Sequence, residues 1–247
     1  MIISIITATY NSAATIADTL ESVRHQTHPL IEHIIVDGLS KDSTLDICRS
    51  YPHVSFIHSE KDNGIYDAMN KGIAHATGDV IGILNSDDFY VNEKVIAKVA
   101  EAFVPGIDAV YGDLQYVDQL NTDKVIRTWR SGSYARNDFL FGWMPPHPTF
   151  FVRKEVYQQL GNFNTALRSA ADYEFMLRVL FKNQLKAAYI PEVLVRMRAG
   201  GVSNASFRNR VNANKEDRLA WKLNGLQPYF FTLYLKPVRK ILQYIIR

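Results

Sequence analysis

The chain has 247 residues, 47% of them hydrophobic, enough to bury one good core without a second domain. A single cysteine, Cys48, excludes an internal disulfide, and a net charge of +3 is too small to indicate a nucleic-acid partner. The start Met1-Ile2-Ile3-Ser4 lacks the basic and apolar segments of a secretion signal, and no run reaches the roughly 18 apolar residues that span a bilayer, so a cytoplasmic location is expected.

Residues 2–9 are short and dense in β-branched side chains, the composition of a buried strand. Tyr10-Asn11-Ser12 turns the chain, and Ile16, Leu20 and Val23 then recur on the stripe of a helix packed on a sheet. A second strand, Glu32 to Asp37, ends at Gly38; a helix is expected near Asp42 and a third strand over Val54 to His58. Asp62-Asn63-Gly64 turns into a helix whose Ile65, Met69, Gly72, Ile73 and Ala76 share a face. Glycine inside a helix costs about 1 kcal/mol relative to alanine, so close packing is the expected reason for Gly72. Strand four, Asp79 to Leu84, stops at Asn85-Ser86-Asp87-Asp88.

The second half is less regular. Ile107 to Gly112 reads as a strand, Tyr116 to Trp129 as a hairpin or extended pair, and Trp143 to Pro148 as an aromatic loop stiffened by three prolines. A helix beginning near Ala171 carries Phe175, Met176, Val179 and Leu180. The strand–helix alternation predicts an α/β fold, one mostly parallel, Rossmann-like sheet flanked by helices. Ligands collect at the carboxyl ends of such strands. Polar clusters fall there three times, at Thr7 to Asn11, Asp37-Gly38 and Asn85 to Asp88.

Asn85 to Asp88 is the sharpest of these clusters. A carboxylate at a strand end suits a hard cation, Mg²⁺ or Mn²⁺, that neutralises a diphosphate; a turn with a helix cap would use the same residues. Asp37 can accept the imide N–H of a uracil while Gly38 lets the backbone approach a ligand, or the pair can form a plain turn. Asp172 and Glu174 open the late helix, and either could take a proton from an attacking hydroxyl, with Asp172 the preferred base. Glu174 stands four residues before Arg178, the spacing of a helical ion pair. Asp88 and Glu174 remain possible acceptor or metal contacts. So does His147, although a lone histidine is as often structural.

In order, these segments resemble the family 2 glycosyltransferases of the GT-A fold. The matching elements are T-x-T-Y-N at Thr7 to Asn11, V-D-G-x-S-x-D-x-T at Val36 to Thr44 and D-N-G-I-Y-D-A-M-N-K-G at Asp62 to Gly72. They continue with A-x-G-D at Ala76 to Asp79, L-N-S-D-D at Leu84 to Asp88 and P-H-P-T-F-F at Pro146 to Phe151. A-D-Y-E-F-M-L-R at Ala171 to Arg178 and A-G-G-V-S at Ala199 to Ser203 complete the series. The resemblance implies that Thr7, Thr9 and Asp37 contact base and ribose with Asn11 nearby, that Asn85 meets the ribose, and that Asp87 is the metal ligand. It makes Asp172 the catalytic base and the Gly200-Gly201 loop a cover over the site. Two residues depart from the family pattern: Asn85 replaces the first acid of D-x-D, and Ala171 the glutamate before the catalytic aspartate.

The expected organisation is a GT-A domain over residues 1–205, nucleotide-sugar-binding in 1–112 and acceptor-binding and catalytic in 113–205, then a basic amphipathic helical tail over 206–247. Nine Lys or Arg against Glu216 and Asp217 give residues 204–247 a net +7. In the tail Val238, Ile241, Leu242 and Ile245 line one helical face while Arg239, Lys240 and Arg247 fall elsewhere. That pattern suits an anionic membrane surface, at the inner face of the cell membrane, or a helix docked on the body. The resemblance implies an inverting, metal-dependent hexosyl or acetamidohexosyl transferase. Its donor would be a nucleotide sugar, a UDP-sugar by expectation, and its acceptor a glycan or a polyprenyl-diphosphate-linked glycan in O-antigen or capsule synthesis. The alternatives are a sugar nucleotidyltransferase, against which stands the lack of a glycine-rich loop after the first strand, and a non-catalytic sugar-nucleotide or glycan binder.

Overall fold

A computed structural model describes residues 1–200 and 207–245; the side chains of 207–213, 238 and 240–245 lie outside that description. The sequence pattern places the first half well. Strands β1 (Ile3–Thr9), β2 (Ile31–Asp37), β3 (Val54–Ser59) and β4 (Val80–Ile83) pair in parallel in the order β3-β2-β1-β4. Helix α1 (Ile16–Arg24) and the short α2 (Thr44–Arg49) cover one face, where Ile16, Leu20, Ile35 and Cys48 are all fully buried. On the other face α3 (Ile65–His75) lies against Ile6, Ile34 and Val36. Gly72 is the reason it lies so close, since a Cβ there would come 2.3 Å from Cγ2 of Ile6. Ile65, expected on the packed face, is instead 46% exposed, because Tyr66 takes the inward position at the helix start.

The sheet continues into a mixed half. Short β5 (Asp88–Tyr90), α4 (Val95–Ala102) and β6 (Ala109–Val117) are followed by β7 (Val125–Trp129), which forms the expected hairpin with β6. Then come β8 (Phe151–Arg153), α5 (Lys154–Leu160), α6 (Ala171–Met176) with a π-helical turn over Leu177–Lys182, and β9 (Ala187–Arg198). β8 runs antiparallel between β4 and β6, while β9 pairs in parallel with β6 and antiparallel with β5, closing the order β3-β2-β1-β4-β8-β6-β9-β5.

The basic carboxyl-terminal segment does not stand apart from this body. In α7 (Phe207–Leu223) Trp221 is fully buried and donates to the hydroxyl of Tyr173 at 2.9 Å. The first turns of α8 (Thr232–Ile245) dock on residues 140–142, with Thr232 donating to the Leu140 carbonyl at 2.6 Å. Lys236 is held inside by Asp217 at 2.7 Å and lies 3.7 Å from the centre of the Tyr173 ring. Lys236 thus serves docking of the tail on the body. Arg208, Arg210, Val238, Lys240, Ile241, Leu242, Ile245 and Arg247, like Gly201 of the expected covering loop, lie outside the described residues or side chains. No described helix is long and apolar enough to cross a membrane.

Candidate functional site

The carboxyl ends of β1, β2 and β4 are sewn together by side-chain hydrogen bonds. Asn11, at φ 50°, accepts from the Lys41 amide at 2.8 Å, and its own amide donates to Ser40 Oγ at 2.8 Å. The Ser12 and Ser86 hydroxyls meet at 2.8 Å, and Thr15 and Thr19 donate to the carbonyls of Ser86 and Asp88 at 2.9 and 2.7 Å. These bonds fix the three polar loops as one rim, and Asn11 serves as its spacer. Ser12, Thr15 and Thr19 carry no motif signal beyond lying next to Asn11.

The acidic turn after β4 divides its residues between inside and outside. Asp88 is fully buried in β5; burial first, and the neighbouring Asp87 second, push its carboxyl well above the usual range. Asn85 donates to Asp88 Oδ2 at 2.8 Å, leaving Oδ1 of each residue buried without a partner. Asp88 is therefore an internal group and not an acceptor contact. Asp87 is half-buried, its carboxyl raised by desolvation against the opposing pull of Arg198. Arg198, at the end of β9, donates to the Asp87 carbonyl at 2.7 Å, pairs with Asp18 and stacks over Phe89 at 5.2 Å. It fixes the turn, and only its place just before Ala199-Gly200 hints at that role.

The Asp87 carboxylate and the buried, unpartnered Asn85 Oδ1 are oxygen donors, the type that suits a hard divalent cation. No cluster of three or more His, Cys, Asp or Glu side chains suited to a metal occurs among the described residues. A cation here would take one protein carboxylate and complete its shell from substrate and water.

At β2 the sequence expectation meets a closed arrangement. Asp37 is fully buried, accepting from the Ser40 amide at 3.1 Å, from Ser59 Oγ at 2.7 Å and from Ser40 Oγ. The missing side chain of Gly38 makes room for Asp62, whose Oδ2 would lie 2.4 Å from a Cβ at 38. Gly38 here admits a protein carboxylate, closer to the plain turn than to the ligand approach, the two alternatives open for Asp37-Gly38. Thr7 is also fully buried, 3.1 Å from His33 Nε2, so it faces the α1–α2 side of the sheet and not the rim. Thr9, two residues nearer the rim, is 5% exposed with an unpartnered hydroxyl.

The late helix supplies the other half of the site. Asp172 is half-buried and accepts a 2.8 Å hydrogen bond from Tyr66 in the first turn of α3. That turn follows the carboxyl end of β3, so the bond links Asp172 to a helix that starts on the strand-end side of the sheet. Burial, then the Asp172 charge, pushes the Tyr66 phenol well above its usual range, so it remains a donor. His147 lies close enough to feel the Asp172 charge; burial keeps its imidazole neutral, and its Nε2 is buried without a partner. Glu174 points elsewhere: it is 4% exposed, receives Arg178 through both oxygens at 3.1 and 2.9 Å, and receives Asn224 at 3.0 Å. It is a buried structural anion, not an acceptor or metal contact.

Comparison with known proteins supplies the class. The pattern of Glycosyl transferase family 2 matches residues 4–167. The chain belongs to that family. It is 34% identical over 206 residues to a PGL/p-HBAD biosynthesis glycosyltransferase of Mycobacterium bovis, covering 81% of this chain and 78% of the relative. To an uncharacterized glycosyltransferase of Mycobacterium tuberculosis it is 32% identical over 182 residues, 71% of this chain and 68% of the other. Among solved structures, Staphylococcus aureus TarS in complex with UDP-GlcNAc superimposes with a TM-score of 0.73 at 18% identity, covering 95% of this chain and 69% of that one. A Pyrobaculum calidifontis mannosyltransferase with GDP-Man and Mn²⁺ gives 0.67 at 19%, covering 96% and 69%. The family 2 protein is thus a transferase enzyme of GT-A fold, and the nucleotidyltransferase alternative falls away.

Proposed function

We propose that this glycosyltransferase works with inversion, taking a sugar from a UDP-sugar and passing it to a hydroxyl of a glycan or polyprenyl-diphosphate-linked acceptor in cell-surface polysaccharide synthesis such as O-antigen or capsule. The observation that carries the reading is Asp172, a half-buried carboxylate held by Tyr66 of the helix that follows the carboxyl end of β3. Asp172 accepts the acceptor's hydroxyl proton as that oxygen attacks the anomeric carbon. The sugar–phosphate bond breaks on the opposite face and the electron pair leaves with the nucleoside diphosphate. Tyr66 holds the base in place, and half-buried His147, its pKa lowered by desolvation, adds no competing charge beside it. Mg²⁺ or Mn²⁺ on Asp87, with Asn85 beside it, would neutralise the departing diphosphate.

Thr9 offers its unpartnered hydroxyl to the nucleoside, and Asp37 is proposed to receive the uracil imide. A base reaching Asp37 must take the place of Ser40, whose amide and hydroxyl now occupy that carboxylate. Association with the inner face of the cell membrane belongs to the same proposal. Two measurements test the core of it. In a thermal-shift panel, UDP with Mn²⁺ should raise Tm and UDP without metal should not. Sugar transfer should be present in the wild type and absent in Asp172→Asn with nucleotide binding retained. Full transfer by that variant would remove Asp172 from the role.

A further inference from the structure

The turn joining α7 to α8 carries Tyr229-Phe230-Phe231, and it faces water. Phe230 is 86% exposed, Tyr229 51%, and Phe141 beside them 46%. The rings brace one another, with Phe141 6.4 Å from Tyr229 and 6.1 Å from Phe231, and Phe230 5.2 Å from Phe231. Aromatics held together in solvent form a preformed apolar patch, and such patches mark interaction surfaces.

A groove of about 470 Å³ adjoins the patch, with Trp221 and Phe230 among its walls and Arg218 and Lys222 on its edge. The acids that would offset those cations are turned inward. Glu216 accepts from the Ser169 amide at 2.7 Å and hydroxyl at 2.9 Å, and Asp217 holds Lys236. Arg218 and Lys222 are exposed and form no ion pair among the described residues, within a segment whose net charge is +7. Apolar rings beside uncompensated cations match a surface that is apolar just below a layer of anions. A second copy of the chain fits poorly, because a two-fold contact would set this face against its own cations.

We infer that this face docks on an anionic phospholipid bilayer, with Phe230 and Tyr229 at the boundary between headgroups and acyl chains and Arg218 and Lys222 on lipid phosphates. The inference rests on the membrane association proposed above. It moves the contact from the end of the tail to the α7–α8 turn.

The test uses the full chain and vesicles of phosphatidylcholine, alone or mixed with phosphatidylglycerol. Wild type should sediment with the mixed vesicles and not with phosphatidylcholine alone. Tyr229→Ser with Phe230→Ser should lower that affinity about tenfold or more, as should Arg218→Glu with Lys222→Glu. Both pairs are exposed, so Tm should hold and a folding defect is separable. In Phe230→Trp, emission should shift to shorter wavelength on the mixed vesicles. If wild type fails to bind, the membrane reading and this inference fall together. If it binds and the serine variant binds equally well, the α7–α8 turn alone is wrong. A wild-type dimer that the serine variant dissolves would make a second copy the occupant and overturn the proposal.

Discussion

The hydroxyl of Tyr66 donates to Oδ1 of Asp172 at 2.8 Å across 106 positions of sequence. It ties the first turn of α3 to the start of α6, and so the nucleotide half of the fold to the proposed base. A hydrogen bond to a charged group is worth about 1.5–3 kcal/mol. Tyr66→Phe should therefore lower kcat about tenfold or more while leaving KM for the donor near its wild-type value. Asp172→Asn should cost about 10²–10⁴ in kcat. Steady-state kinetics on both variants decides the matter: an unchanged kcat in Tyr66→Phe would make the bond a packing detail.

Asp87 and Asp88 oppose each other in a desolvated turn. Burial raises both carboxyls, and the Asp87 charge raises that of Asp88 further. A group whose pKa is raised on folding contributes stability at low pH and loses it as pH rises through its folded value. Asp87→Asn should accordingly raise Tm at neutral pH without metal, and abolish any Tm increment from Mn²⁺ with UDP. Transfer should fall with it. A variant that loses stability and keeps the metal response would remove Asp87 as the ligand.

Much of this was legible in the chain. The four parallel strands and α3 follow from β-branched runs and helical stripes, and Gly72 announced its tight contact because nothing else justifies glycine in mid-helix. Glu174 and Arg178 were legible as an i, i+4 pair, but their burial was not, because it depends on Asn224 and on the carbonyls of residues 160–162. Strand β9, which joins β6 to β5, is not legible in the sequence, because its long-range pairing has no local periodicity to mark it. The inward turns of Thr7 and Asp37 were hidden for a related reason. Which face a polar strand residue meets depends on partners, His33, Ser40 and Ser59, that motif order does not specify.

Arg178 is a second place where sequence spacing understates the structure. Its guanidinium holds both oxygens of buried Glu174 and caps the carbonyls of Leu160, Gly161 and Asn162. Removing one member of such a buried pair costs about 3–5 kcal/mol. Arg178→Ala should lower unfolding free energy by that amount in urea, with kcat per folded molecule nearly preserved. A selective loss of kcat at wild-type stability would return Glu174 to the acceptor site.

Gly72 allows α3 to lie on β1, and a Cβ there would sit 2.3 Å from Ile6 Cγ2 and 3.3 Å from Val36 Cγ2. Alanine is the better helix former, by about 1 kcal/mol. Overpacking a tight core costs about 1–3 kcal/mol, so the net change in Gly72→Ala should be destabilising. Because α3 carries Tyr66, a displaced helix should also reduce transfer. A Tm above wild type would show that the contact relaxes freely.

Thr7, His33 and His53 form a polar chain inside the sheet, with His33 3.1 Å from Thr7 Oγ1 and 3.2 Å from His53 Nε2. Burial, and then His53, pushes His33 from 6.5 down to about 3, so the folded protein holds it neutral. The unfolded chain protonates it near 6.5, and stability present above that pH is lost as pH falls toward about 3. Glutamine retains hydrogen-bonding atoms but cannot take up the proton. His33→Gln should therefore be less stable than wild type at neutral pH, with a deficit that narrows between pH 6.5 and about 3. Urea unfolding of both proteins across that range measures the difference. A constant gap would mean that His33 titrates alike in the folded and unfolded chains.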